Sequence, residues 1–108
     1  MPNPALTGNA ASREQVDRAG RAEKRRDLVE DTDFKWLLDQ PQFRRYLWRL
    51  MGHCHTFESV FDGHGSKMSY NSGMQDVGHF ILAEIQVARP NVLILMMEEA
   101  KQREEHHA

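Results

Sequence analysis

The stretch PQFRRYLWRLMGHC, residues 41–54, decides the fold because its apolar residues recur at helical spacing. Pro41 suits the first position of a helix, where the missing N–H of proline costs nothing. The apolar residues that follow lie at offsets of 4, 3, 1 and 3, which places them on one helix face: Phe43, Leu47, Leu50, Met51 and Cys54. The pattern predicts an amphipathic helix over residues 41–54 with this face in a core.

A second apolar helix is predicted over residues 73–89. Asn71-Ser72-Gly73 can open it, and Pro90 ends it because proline cannot continue a helix. Gly78 lies in the middle, where glycine costs about 1 kcal/mol against alanine, and a close helix crossing would explain it. Residues 56–72 form the least regular stretch and predict a loop-rich link.

The last helix is predicted over residues 91–105. Its first part, residues 92–97, is apolar on every face, which predicts that other helices or another subunit surround it. We therefore expect an all-α protein. The expected core includes Leu38, Phe43, Leu47, Leu50, Met51, Val77, Ile81, Ile85, Leu93 and Met97.

The N-terminal part predicts an arm rather than more core. Two prolines and a glycine without an apolar period predict an extended, irregular tail at its start. Ser12 to Gln15 fits a capping box and opens a helix that is polar nearly all round. A break at Asp31-Thr32-Asp33 is expected before a short helix over residues 33–39. The predicted organisation is an extended tail (1–11), a polar helical arm (12–31), a helical body (32–105) and a frayed tail (106–108).

Composition excludes several classes of protein. With 108 residues the chain is expected to form one domain at most, and its net charge of −2 gives no overall attraction to nucleic acid or anionic lipid. The single cysteine, Cys54, rules out an intrachain disulfide and fits a reducing compartment. No signal peptide is expected, and no apolar run approaches the roughly 20 residues of a membrane-spanning helix. The expected location is intracellular.

One cluster has the residue types of a metal site. His53, Cys54 and His55 could offer nitrogen and sulfur ligands to zinc, with His64 or His79 completing a tetrahedron. Only one such knuckle exists, however, and Cys54 continues the apolar face of the helix. A buried, unreactive cysteine is therefore the favoured interpretation. A nucleophilic Cys54 is weaker still, because no orienting carboxylate can be placed. We expect no cofactor and no catalytic residue.

Cations and aromatic residues together suggest a binding surface. Exposed aromatics beside a basic groove are typical of proteins that stack on single-stranded nucleic acid. Trp, Tyr and Arg are also the usual anchors of protein interfaces. Purely structural roles are favoured over nucleic-acid contact: the basic helix would be solvated, and the aromatic residues would fill the core. The candidate partner-binding residues are Arg21, Lys24, Arg25, Arg44, Arg45, Tyr46, Trp48 and Arg49.

The order of these elements resembles a family of small tailed-bacteriophage proteins that are encoded among virion structural genes and typified by one from a Bordetella phage. The resemblance covers roughly residues 33–101 and rests on a scaffold pattern. Its motifs are Asp33-Phe34, Leu37-Leu38, Phe43 to Leu50, Phe57, Phe61, Tyr70 to Gly73, Val77-Gly78, Ile81-Leu82, Ile85, Pro90 and Met97 to Ala100.

This resemblance implies a non-enzymatic role in a virion, near the portal and tail or among the proteins ejected with the genome. It implies that the partners are other phage structural proteins, namely the portal, a tail adaptor or ejected core proteins. Multiple copies in a ring are expected, with synthesis in the host cytoplasm followed by incorporation into the virion. The competing hypotheses are a nucleic-acid-binding accessory and a small metal-dependent enzyme.

Overall fold

The computed structural model describes residues 4–61 and 63–107, with side chains from residue 11 onward. Within these ranges the chain forms four helices and no strand, which confirms the all-α prediction. The helices are α1 (Pro4–Leu38), α2 (Pro41–His53), α3 (Gly65–Ala88) and α4 (Val92–His107). The chain divides into two compact units, Met1–Asp33 and Phe34–Ala108, which we call the arm and the body.

Helix α1 corrects two predictions about the N-terminal part. The irregular tail predicted for residues 1–11 is helical from Pro4 onward, and residues 1–3 lie outside the described residues. Proline is well tolerated at the first position of a helix, which explains why Pro4 begins the element instead of breaking it. The break predicted at residues 31–33 is also absent. There the Thr32 hydroxyl donates to the Leu28 carbonyl at 2.9 Å, which satisfies it inside the helix instead of at a cap.

Helix α2 ends within one residue of the prediction, and α3 begins eight residues earlier than predicted. The sequence between Gly65 and Gly73 contains no proline, so nothing prevents the helix from starting directly after Gly63 and His64. The irregular link is therefore shorter than expected. Helix α4 continues to His107, so the predicted fraying at residues 106 and 107 is not seen, and residue 108 lies outside the described part.

The core lies where α2, α3, α4 and the end of α1 meet. Its buried members are Leu38, Leu47, Met51, Ile85, Ala88 and Met96. Of the predicted core, Phe43, Leu50 and Ile81 pack partly buried against this cluster, and Leu93 is half-buried. The prediction that Val77 and Met97 lie in the core is wrong, because these residues are 54% and 50% exposed. Both belong to helices that are apolar on more than one face, and only one face meets the core.

The expectation that residues 92–97 are surrounded is only partly met within the body. Met96 is buried and Val92 packs against the core, whereas Ile94, Leu95 and Met97 remain exposed. In the part of the chain that the structure describes, no single helix is long and apolar enough to cross a bilayer. Helices α3 and α4 together meet that length and composition test across a bend of 117°.

Candidate protein-binding surface

Arg44 is a buried structural residue and not a surface contact. Its guanidinium donates to both carboxylate oxygens of Glu99, from Nε to Oε1 at 2.8 Å and from Nη2 to Oε2 at 3.0 Å. Its Nη1 also donates to the Leu38 carbonyl at 2.9 Å. The hydrogen bond to Glu99 raises the pKa of Arg44, and the same bond lowers the pKa of Glu99. Arg44 thus ties α2 to α4 and to the end of α1, and it is removed from the predicted binding set.

The Trp48 side chain is likewise engaged in packing within the body. It is half-buried against the core, and its ring stacks on Phe57 with the ring centroids 5.4 Å apart and the planes 28° from parallel. Phe57 itself is 49% exposed and shields one side of the indole. Trp48 therefore holds the link after α2 to the helix rather than forming an open anchor.

The remaining predicted residues of α2 form an exposed group. Arg45, Tyr46 and Arg49 all face solvent. The Arg49 guanidinium carbon lies 5.5 Å from the centre of the Tyr46 ring, which is a cation–π contact. Arg45 lines a shallow groove whose other residues include Glu99, Gln102 and His106. An exposed tyrosine stacked with arginine is the chemistry that protein interfaces favour as anchors.

The predicted cations of the arm are also exposed. Arg21, Lys24 and Arg25 lie on a helix that shows apolar side chains to solvent as well, with Val16, Leu28 and Val29 exposed by 69%, 67% and 59%. A shallow groove along the arm is lined by Ala19, Ala22, Arg25, Arg26, Val29 and Glu30. Within its own unit the arm is therefore a single helix that leaves large apolar side chains exposed.

The His53-Cys54-His55 cluster has a structural role in the body. Cys54 is buried, His53 is exposed, and His55 adopts a left-handed backbone with φ 56°. In the described ranges no group of three or more His, Cys, Asp or Glu side chains could hold a metal ion. The His55 carbonyl accepts a hydrogen bond from Gln75 Nε2 at 2.8 Å, which fastens this turn to α3.

Gly78 explains how closely this turn approaches α3. A Cβ at Gly78 would overlap Thr56 Oγ1 and lie 3.1 Å from the Cβ of Cys54. Thr56 is itself buried, and its hydroxyl donates to the Met51 carbonyl at 2.6 Å. The close crossing predicted from the mid-helix glycine is present, and the element that crosses is the turn after α2.

An exposed apolar stripe, which the sequence pattern did not predict, runs along α3. Tyr70, Val77, Phe80 and Val87 are exposed by 68%, 54%, 64% and 84%. Positions 70, 73, 77, 80, 84 and 87 alternate in spacing between three and four residues, which is the repeat of a helix-pairing seam. That spacing was the available signal, and it was obscured because the opposite face of α3 is apolar too.

Comparisons with known proteins point to a phage family. The model of a family described as Bbp19-like phage protein matches residues 34–98. This segment takes in the end of α1, all of α2 and α3 and the first part of α4, so the matched region coincides with the body. No curated protein and no solved structure matches significantly.

Proposed function

The chain belongs to the Bbp19-like phage protein family, and from that membership we propose that it is a non-enzymatic structural component of a tailed-phage particle. In this proposal it binds other virion proteins, at the portal, neck or tail or among the proteins ejected with the genome. It is made in the host cytoplasm and then incorporated in several copies.

The observation that carries the proposal is the exposure of large apolar side chains along the arm. A long helix with interleaved charges is either a solvated spacer or a helix that lies on another chain, and its exposed apolar side chains favour the second. Contact with another chain would remove the exposed apolar area of Val16, Leu28 and Val29 from water, which is favourable. The cations beside that line, Arg21, Lys24 and Arg25, then supply the polar rim that interfaces need.

The exposed group on α2 supports a second contact. Arg45, Tyr46 and Arg49 are free of the core packing that engages Arg44 and Trp48. We propose that these three side chains contact a neighbouring virion protein, with Tyr46 as the anchor because its amphipathic ring can be buried while its hydroxyl finds a partner.

Incorporation into purified particles tests the proposal. A chain that lacks residues 1–30 should remain a folded body, seen as retained helical circular dichroism, and should no longer enter particles. In the full-length chain, reversing Arg21 and Arg25 to Glu should lower the copy number, whereas Lys101→Glu, an exposed cation on α4, should not. If the truncated chain incorporates normally, the arm is a passive spacer and the proposal of an arm contact is wrong.

A nucleic-acid-binding role is the second candidate, and the Arg49–Tyr46 contact is the observation that favours it. An exposed aromatic ring flanked by Arg45 and Arg49 can stack on a base while the cations meet phosphate. Phosphate contacts release counterions, so the affinity for single-stranded DNA should fall steeply with salt. Binding that is absent at low salt, or unchanged in Arg49→Ala, would exclude this role.

A further inference from the structure

Two exposed stripes in this chain have the same spacing. On α3 the positions are 70, 73, 77, 80, 84 and 87, and on the arm they are 12, 15, 19, 22, 26 and 29. Each series alternates between steps of three and four residues, so position 12 corresponds to 70, 15 to 73, and so on to 29 and 87. Two helices with this repeat can pair along their length as a coiled coil does.

The side chains on the two stripes complement each other in size. The α3 stripe presents Tyr70, Val77 and Phe80 where the arm presents the small residues Ser12, Ala19 and Ala22. Where the arm has the long Gln15, α3 has Gly73. Large residues facing small ones let two helices interdigitate without voids.

The charges on the stripes select one orientation. Each stripe carries one charged residue, Arg26 on the arm and Glu84 on α3. With the helices parallel and matched as above, Arg26 lies opposite Glu84, and Val29 lies opposite Val87. When the two full stripes run antiparallel, Glu84 would face Gln15 and Arg26 would face Gly73. That arrangement desolvates two charges without a partner, which is costly.

The wider charge pattern agrees with this pairing. Residues 12–29 of the arm hold six cations and four acids, whereas the matching residues 70–87 of α3 hold two acids and no Lys or Arg. Opposite charges on the two surfaces favour docking of one on the other. Two copies of the same stripe in parallel would instead place Arg26 against Arg26, or Glu84 against Glu84.

We propose that the arm of one copy docks in parallel on the exposed α3 stripe of a second copy, through the layers from Ser12–Tyr70 to Val29–Val87. The contact uses different surfaces on the two copies, so it propagates from copy to copy and can close into a ring. The inference deepens the proposed function, on which it rests, by naming the partner of the arm as another copy of this chain.

Sedimentation of the purified full-length chain tests this docking without reference to particles. The wild-type chain should self-associate in a concentration-dependent way, and Arg26→Glu and Glu84→Arg should each weaken that association roughly tenfold or more. The chain that carries both reversals should associate again. An equal mixture of the two single variants should also form complexes, because the new carboxylate at position 26 of one variant then meets the new guanidinium at position 84 of the other.

Matched variants separate this docking from general effects of charge and apolar area. Glu98→Arg, an exposed glutamate on α4, should leave the association unchanged. Phe80→Ser should weaken it, whereas Phe61→Ser, on a phenylalanine that is 85% exposed, should not. Circular dichroism checks that each variant keeps its helices.

A wild-type chain that stays monomeric at every concentration would overturn the docking, as would equal effects of Glu84→Arg and Glu98→Arg. Failure of the mixed single variants to associate would show that the partner is not a second copy. Each of these results leaves incorporation into particles open, so the failure of this inference can be told apart from the failure of the proposed function.

Discussion

Replacing Glu99 with Gln is the sharpest test of what holds the body together. In the native protein Glu99 accepts two hydrogen bonds from Arg44, at 2.8 and 3.0 Å. The Arg44 side chain is 10% exposed and that of Glu99 is 23% exposed. Glutamine keeps the shape and one acceptor oxygen, but it removes the negative charge and leaves the Arg44 cation uncompensated.

The size of the effect follows from the burial of the pair. Removing one partner of a fully buried ion pair costs roughly 3–5 kcal/mol, whereas exposed pairs contribute roughly 0–1 kcal/mol. This pair is mostly buried, and Arg44 keeps its bond to the Leu38 carbonyl in the variant. We therefore expect the free energy of unfolding to fall by about 2 kcal/mol at neutral pH.

The pKa of Glu99 adds a pH dependence to this prediction. The hydrogen bond from Arg44 holds this pKa below its ordinary value of 4.5. A carboxylate with a lowered folded-state pKa contributes stability that is fully present above the ordinary value and is lost as pH falls through the folded-state pKa. The difference between the wild-type chain and Glu99→Gln should therefore be largest at neutral pH and shrink in acid.

Urea unfolding followed by circular dichroism, at neutral pH and at several acid pH values, measures both effects. Glu58→Gln is the matched control, because the Glu58 side chain is 63% exposed and its ion pair, with His55 at 3.5 Å, lies at the surface. Its change should stay within about 0.5 kcal/mol. An equal loss for both variants at neutral pH, or a Glu99→Gln difference that does not shrink in acid, would refute the reasoning.

Three further predictions concern the body. Gly78→Ala should lower the free energy of unfolding by about 1–3 kcal/mol, because the added methyl overlaps the turn after α2. The control Gly73→Ala, whose added methyl meets nothing within 4 Å, should be neutral or stabilising by up to about 1 kcal/mol. Equal denaturation midpoints for the two variants would contradict this. Ile85→Ala should lower the free energy of unfolding by about 2–5 kcal/mol, because Ile85 is fully buried. The control Val87→Ala changes a residue that is 84% exposed and should alter the free energy of unfolding by less than about 0.5 kcal/mol in the same assay. Elemental analysis of the purified protein should find no stoichiometric zinc, because Cys54 is buried in packing; one zinc per chain that is lost in Cys54→Ala would restore the metal hypothesis.

Local sequence patterns were enough for the helical architecture but less reliable for where the helices begin and end. The periodicity of residues 41–54 and the position of Pro90 depend on near neighbours, so α2 and the boundary between α3 and α4 were predicted closely. The predicted irregular tail and the predicted break at residues 31–33 were wrong. A proline can begin a helix, as Pro4 does, and a threonine can satisfy its hydroxyl inside a helix, as Thr32 does.

Much less of the candidate binding surface could be predicted. The sequence placed Arg45, Tyr46 and Arg49 in a candidate surface, and they are exposed. It also placed Arg44 and Trp48 there, and the structure buries the first and half-buries the second. The exposure of each arginine and aromatic residue in this helix depends on which distant residues pack against it. The sequence of the helix alone therefore does not separate the buried side chains from the exposed ones.

The helical character of this protein follows from local sequence, because hydrogen bonds and side-chain periods within a helix involve residues three or four positions apart. Only the tertiary structure decided which apolar face of α3 and α4 is buried, since both helices offer more than one. It also decided that Arg44 meets Glu99, 55 positions away. Burial and ion pairing between distant residues depend on the packing of whole helices, and no local pattern records that packing.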